Sequence, residues 1–287
     1  MAITVAADLA AGQIAMVGAA RYTYEHDTLA ANLFTKITLE AGEKSHSIPK
    51  FGRAVAQDLT DGIDMTDAQT LTITATAHTT DEAGCKVIIT RKLRHQLKED
   101  AYRAAGKVIG AAMSKKIDQD GLNLFSGVNS GLGTAGTTFT LGYLHAAVSQ
   151  CLGQSEPVPQ PMVCVLHPYQ LSVIVENLAL PAYNSIFVAD TDMSSALRQY
   201  WRGNDKLFNV GVFASGNIAV NSASDAYGAV FSKEAFIYLV GWEPENWVEE
   251  DKSLRGWEIG IVADYKMVEE DGTYGRYLLL DASAPTS

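Results

Sequence analysis

Cysteine is scarce. Cys85, Cys151 and Cys164 are odd in number and lack Cys-x-x-Cys spacing, which argues against a disulfide framework and against a thiolate metal site. They read as buried small hydrophobes. Positive charge is also short, with 22 Lys and Arg against 33 Asp and Glu and a formal net charge of −11. That balance argues against a surface built to grip nucleic acid through its phosphates. The basic cluster Arg91, Lys92, Arg94, His95 and Lys98 reads as a solvated junction between elements. Long apolar runs are missing as well. The segment Gln13 to Ala20 is too short and too mixed for a secretory signal or a membrane span, and no Lys or Arg precedes Arg21, so synthesis in the cytosol is the expectation. With 47% hydrophobic residues in 287, the chain has enough apolar mass for one large core or two modest ones.

Catalytic motifs are equally thin. Gly131-Leu-Gly133-Thr-Ala-Gly136 spells the dinucleotide pattern G-x-G-x-x-G, but that pattern works only between a strand and a helix whose free N–H groups meet pyrophosphate. Here a helical stretch precedes it and Thr137-Thr-Phe-Thr140 follows. His167 ends an apolar run where open α/β folds place ligands, yet no nucleophile motif is tied to it, and His-Pro at a strand-to-helix turn is explained as a junction. Asp118-Gln-Asp120-Gly121 is a fragment of a calcium loop without its remaining acidic ligands, so a solvated helix end is expected. The clusters Glu249-Glu250-Asp251 and Glu269-Glu270-Asp271 read as solvated turns. His26, His46, His78, His95 and His145 show no metal-ligand spacing. No catalytic residue, cofactor or metal is expected.

What the chain does contain is a weak β-hairpin followed by a long helix. From Thr70 to Ala77, Leu71, Ile73, Ala75 and Ala77 alternate with threonines. After the polar segment Thr79 to Gly84, Cys85, Val87 and Ile89 alternate with Lys86, Ile88 and Thr90, which predicts an antiparallel hairpin. Its apolar face is too small to offset about 1–2 kcal/mol of ordering entropy per residue, so something outside it must hold it. A helix is predicted from about Gln96 to Leu124, with Tyr102, Ile109, Met113, Ile117 and Leu124 on one stripe that Ala101, Ala105 and Ala112 extend, and a Glu99–Arg103 pair. Gly106 and Gly110 each cost about 1 kcal/mol in a helix interior and mark close packing or a bend.

The first thirty residues show no sustained period. Phe34 to Leu39 and Ser45 to Phe51 read as strands, the second an edge because it contains Pro49. From Leu141 the pattern alternates: helix Leu141 to Leu152, buried strand Met162 to Leu166, helix from Pro168 to Leu178, an α/β unit reaching about Asp225. The tail reverts to β, with Trp257, Ile259, Ile261, Ala263, Tyr265 and Met267 alternating, a turn at Glu270-Asp-Gly272, and a return through Tyr274 to Leu280.

This order of elements resembles the major capsid protein of tailed bacteriophages, a fold shared with encapsulins and the herpesvirus capsid floor. The likeness rests on architecture and on texture such as Ala112-Met-Ser-Lys-Lys-Ile-Asp118, Val165-Leu-His-Pro168, Ala229 to Ala235 and Glu249 to Arg255. It implies an α+β chain with an N-terminal arm at 1–30, an extended β loop at 31–92, a spine helix of the peripheral domain at 93–127, an axial domain at 128–225, and a β-rich return at 226–287. It further implies a structural, non-enzymatic protein that self-assembles through pentamers and hexamers into an icosahedral shell. Double-stranded DNA would be enclosed without sequence-specific binding. Portal and scaffolding proteins would be partners, no membrane would be involved, and the shell would be built in the host bacterial cytoplasm and end in the virion. Contacts between copies would use the extended loop through Ile48, Lys50, Phe51, Leu71, Ile73, Val87 and Ile89, with Gly106 and Gly110 as a helix bend. Some relatives cross-link from a loop lysine, for which Lys44 and Lys50 are available, but no matched partner or catalytic acid is evident. With only a short arm, any scaffold is expected to be separate or already cleaved. The alternatives are an encapsulin-like compartment and a soluble α/β enzyme using His167 and the Gly131 to Gly136 loop.

Overall fold

The computed structural model describes residues 28–40, 42–52, 70–92, 100–179 and 206–285, with isolated positions between 52 and 70. The arm before Thr28, most of the stretch after Gly52, the predicted helix start at 93–99 with Glu99, the side chains of Ala101 and Tyr102, and 180–205 lie outside the described residues. Chain order begins with helix α1 (Leu29–Leu33), strands β1 (Thr35–Thr38), β2 (Ser45–Phe51), β3 (Ile73–Thr79) and β4 (Asp81–Thr90), then helix α2 (Asp100–Leu122) and a 3₁₀ turn (Asn123–Gly127). Strand β5 (Gly131–Leu132), helix α3 (Leu141–Gly153), strand β6 (Met162–Leu166) and helix α4 (Pro168–Ala179) follow. Strands β7 (Lys206–Leu207), β8 (Val210–Ala214), β9 (Asp225–Ser232), β10 (Phe236–Asp251), β11 (Gly256–Glu269) and β12 (Gly275–Asp281) complete the chain.

Among the described residues three sheets form. A four-stranded sheet has the order β1-β10-β11-β4, a six-stranded sheet the order β5-β12-β9-β6-β8-β7, and β2 pairs with β3 in a ribbon of their own. This corrects the hairpin expected from the sequence. The segment Thr79 to Gly84 is not a turn: β3 and β4 run on from one another, β3 pairing with β2 and β4 with β11. Alternation within each strand is obeyed, but alternation does not name a partner. The tail also divides differently. Strands β9 and β12 lie in the six-stranded sheet, β9 beside β6, so the segment after Asp225 feeds both sheets. The corner at Glu270–Gly272 moves the chain from one sheet to the other.

Helix α2 spans 23 residues, about 34 Å at ~1.5 Å per residue. Ile109, Met113 and Ile117 on one stripe are buried against β4 and β11, where Ile89, Ile259, Ile261 and Ala263 complete the core. Ala112, placed on that stripe by the sequence, is exposed. The helix runs unbroken through Gly106 and Gly110, both buried. Four phenylalanines join the two larger sheets: Phe34 stacks on Phe236 at 4.8 Å, and Phe231 of β9 meets Phe236 of β10 edge-on at 5.0 Å, with Phe125 beside both. A second cluster, including Leu144, Val148, Cys151, Cys164 and Leu280, packs α3 on the six-stranded sheet. Burial pushes the thiols of Cys151 and Cys164 up, in keeping with small hydrophobes. Among the described residues no helix is long and apolar enough to cross a membrane.

Asp118 departs most from expectation. It is 1% exposed, not a solvated helix end. Its carboxyl accepts from the Ala30 backbone N–H at 2.6 Å, the Ser215 hydroxyl at 3.1 Å and the Asn217 amide at 2.9 Å. One side chain of α2 thereby caps α1 and ties down the loop after β8. Gly121, one turn on, lets α1 approach, because a Cβ there would lie 2.7 Å from that of Ala30. Asp118→Ala is expected to lower subunit stability by about 2–4 kcal/mol, since it strands three donors. Lys116→Ala, which removes a partly exposed ion pair with Asp120 and leaves the Tyr265–Asp120 hydrogen bond in place, is expected to cost under about 1 kcal/mol. Urea unfolding midpoints compare the two.

Candidate assembly interface

The ribbon is the least self-sufficient part of the described chain. Its register opposes Phe51 to Ile73, Pro49 to Ala75, Ser47 to Ala77 and Ser45 to Thr79. Period two therefore collects Phe51, Pro49, Ala75, Ala77, Ile73 and, one step further, Leu71 on one face. That face is uncovered: Phe51 is 63% exposed, Ile73 59% and Leu71 53%. Large aliphatic and aromatic side chains grouped in this way on a two-stranded ribbon form an unpartnered apolar patch.

The opposite face is polar and turned toward the rest of the subunit. It carries His46, Ile48 and Lys50 on β2 with Thr74, Thr76 and His78 on β3, and His46, Ile48 and His78 are half-buried. The Lys50 ammonium lies 3.9 Å from Asp271. Glu269, Glu270 and Asp271 form the corner it faces, and they are not the solvated turn expected. Burial raises the Glu269 and Glu270 carboxyls above the usual range while Lys50 pulls them back. Asp271 accepts from the Thr273 N–H at 2.9 Å and hydroxyl at 2.8 Å, opening a 3₁₀ turn. The other acidic cluster does form a turn, with Asp251 accepting from Ser253 and Leu254.

The residues singled out in the sequence thus separate into three groups. Phe51, Leu71 and Ile73 share the exposed face. Ile48 and Lys50 lie on the opposite face. Val87 and Ile89 belong to β4 and pack into the subunit's own core beside Ile259, Ile89 being 3% exposed. Their role as loop contacts is therefore corrected. Pro49 was missed as a member of the face that carries Ala75 and Ala77, because the β2–β3 register joins it to them across more than twenty intervening residues. The Ser47, Pro49, Phe51 alternation was the available signal.

The chemical candidates are occupied by structure. His167 Nδ1 accepts from the Tyr169 N–H at 3.2 Å, its ring meets Tyr169 edge-on, and burial lowers its pKa. It caps the start of α4. The glycine loop leads from β5, which pairs with β12, and four residues separate Gly136 from the start of α3 at Leu141. Gly131 lies beneath the Tyr277 ring, where a Cβ would be 1.9 Å away, and the Gly136 N–H donates to Asp225 at 2.6 Å. An open cleft beside α2, lined by Asp81, Glu82, Lys116, Asp120, Tyr265 and Lys266, has four of its five charged side chains paired internally: Lys116 and Tyr265 both meet Asp120, and Lys266 meets Asp81. Arg91 of the basic cluster pairs with Glu250 and lies over Trp257, while Arg94, His95 and Lys98 are outside the described residues. Among the described residues no three His, Cys, Asp or Glu side chains converge as metal ligands.

No family model and no curated protein matches the chain. Solved structures do. A structure from Mycobacterium phage Che8 superposes with a TM-score of 0.67 at 16% identity, covering 88% of this chain and 90% of that one. The capsid of Ralstonia phage GP4 gives 0.64 at 15%, covering 89% and 88%, and the mature capsid of bacteriophage PhiM1 gives 0.65 at 10%, covering 90% and 88%. The chain shares its fold with these phage structures, the GP4 and PhiM1 capsids among them.

Because Phe51 and Ile73 lie on an uncovered face, replacing both by Ser is expected to change the stability of the isolated subunit by less than about 0.5 kcal/mol per site. Urea unfolding of the unassembled chain checks this.

Proposed function

We propose that this chain is a major capsid protein of a tailed bacteriophage, which self-assembles as pentamers and hexamers into an icosahedral shell around packaged double-stranded DNA. The observation that carries the reading is the uncovered apolar ribbon face on a chain with a phage-capsid fold. A lone two-stranded ribbon is marginal in water, and Phe51, Leu71 and Ile73 would each return about 1–2 kcal/mol if a neighbouring copy covered them. Such contacts are weak singly. Repeated around a closed shell, each subunit clasping the next, they become collective. The net charge of −11 suits a container that encloses DNA without reading it. Portal and scaffolding proteins remain the expected partners, and the virion capsid the expected location.

An encapsulin-like compartment would use the same fold. Neighbours such as the capsids of GP4 and PhiM1 favour the phage reading. The enzymatic alternative loses support because His167 and the glycine loop are committed to local hydrogen bonds.

Excising Ser45–Thr79 and joining the ends with a short flexible linker is expected to leave a folded subunit that no longer forms shells, as seen by negative-stain microscopy. Normal shells from this variant would refute the clasp. Nuclease-resistant DNA inside native particles would separate a phage shell from a protein compartment. Gly106 and Gly110 are proposed as the point where α2 bends during shell expansion. Ala at both positions is expected to alter expansion kinetics more than subunit unfolding, and unchanged expansion would remove that role.

A further inference from the structure

The cations of this chain are not spread evenly. Residues 91–116 hold eight of the 22 Lys and Arg but only Glu99 and Asp100 of the 33 acidic residues, so a strongly acidic protein carries one basic stretch. Its described part is mainly helix α2. Between Asp100 and Asp118 the helix has Arg103, Lys107, Lys115 and Lys116 and no carboxylate, whereas a helix face that serves only solubility sets Glu or Asp four residues from Lys. Lys116 pairs with Asp120. Arg103, Lys107 and Lys115 are exposed, and none of them is in an ion pair among the described residues. The row from Arg103 to Lys115 spans about 18 Å at ~1.5 Å per residue. Ala104, Val108, Ala111 and Ala112 fill the exposed face between these cations, and Val108 is 64% exposed. Nothing larger than valine stands among them, so the long cationic side chains are the part that reaches outward.

We propose that this outward face of α2 lines the inside of the shell and meets the phosphate backbone of the packaged double-stranded DNA through Arg103, Lys107 and Lys115. The inference rests on the capsid reading, which sets a polyanion against one side of every subunit. A duplex carries about one phosphate every 3.4 Å per strand, so a rigid row of cations of this length finds several within reach whatever the base sequence. Elsewhere the acidic excess of the chain repels DNA. The turn between β10 and β11 is the opposite case, with Lys252 standing among Glu249, Glu250, Asp251 and Glu258. A second copy of the chain suits the α2 face less well, because aromatic anchors seated in well-packed pockets dominate protein interfaces and this face offers alanines and one valine. Three cations per subunit make a weak, sequence-independent contact. Repeated over the shell, it steadies the DNA without reading it.

Lysine acylation by a small amine-reactive reagent, read by mass spectrometry, tests the contact on three states of the full chain: unassembled subunits, DNA-filled particles, and the same particles after DNA release. Lys107 and Lys115 are expected to react freely in the first and third states and at least about threefold more slowly in filled particles. Lys252 is expected to react equally in filled and emptied particles. Slow reaction of Lys107 and Lys115 in emptied particles as well would assign the face to a neighbouring copy, and equal reaction in all three states would put it away from the DNA. Either result overturns the proposal. Lys107→Glu combined with Lys115→Glu is expected to leave urea unfolding and shell diameter unchanged while filled particles release their DNA at a lower temperature. A variant that keeps the parent's release temperature also overturns it. A chain that forms no shells refutes the capsid reading itself, so the two failures are distinguishable.

Discussion

The carboxyl of Asp118 is the constraint on which the described fold turns. It sits on the buried side of the longest described helix and takes three hydrogen bonds from two segments far from it in sequence: the first turn of α1, and the loop after β8 through the Ser215 hydroxyl and the Asn217 amide. A buried carboxyl is costly unless its oxygens are satisfied, so these donors must arrive together or not at all. That requirement sets where α1 crosses α2, and α1 in turn delivers Phe34 to the aromatic cluster. Through Phe231 and Phe236 the same cluster joins the four-stranded and six-stranded sheets. The interaction is polar, but its consequence is the placement of the apolar core.

Around this rigid body the ribbon is an exception of a particular kind. Strand β4 is integrated, with Val87 and Ile89 facing the core and ten positions paired along β11. Strand β3, only one residue earlier, leaves the body and pairs with β2 alone. The chain thus changes at Thr80 from a strand paired only with β2 to a strand built into the four-stranded sheet. Placing apolar side chains on the outward face and Lys50, His46 and His78 on the inward face keeps the ribbon attached without hiding the surface useful to a neighbour.

Much of this was legible from residue periodicity. The α2 stripe of Ile109, Met113 and Ile117, the buried strand at Met162–Leu166, the helix opened by Pro168 and the alternating face of β11 follow from patterns three to four, or two, residues apart. The candidate interface was only half legible. Leu71, Ile73 and Phe51 were found as exposed apolar candidates, but Val87 and Ile89 were grouped with them because a hairpin was assumed where the chain runs straight on. Ile48 and Lys50 were included without regard to face, although period two already puts them opposite Phe51. The burial of Asp118 was invisible, since an acidic residue near a helix end looks the same whether it meets water or three distant donors.

The sequence by itself determined which segments are helical or extended, which faces are apolar and that the chain carries no recognisable catalytic motif, and its order of elements resembles that of a phage capsid protein. These are consequences of local sterics and of hydrophobic spacing, which act over a few residues. Only the tertiary structure decided which strands pair, that β9 and β12 join the six-stranded sheet, that Glu269 and Glu270 are half-buried beside Lys50, and that one ribbon face is left uncovered. Pairing and burial depend on groups brought together across long stretches of chain, and no local pattern carries the identity of a distant partner.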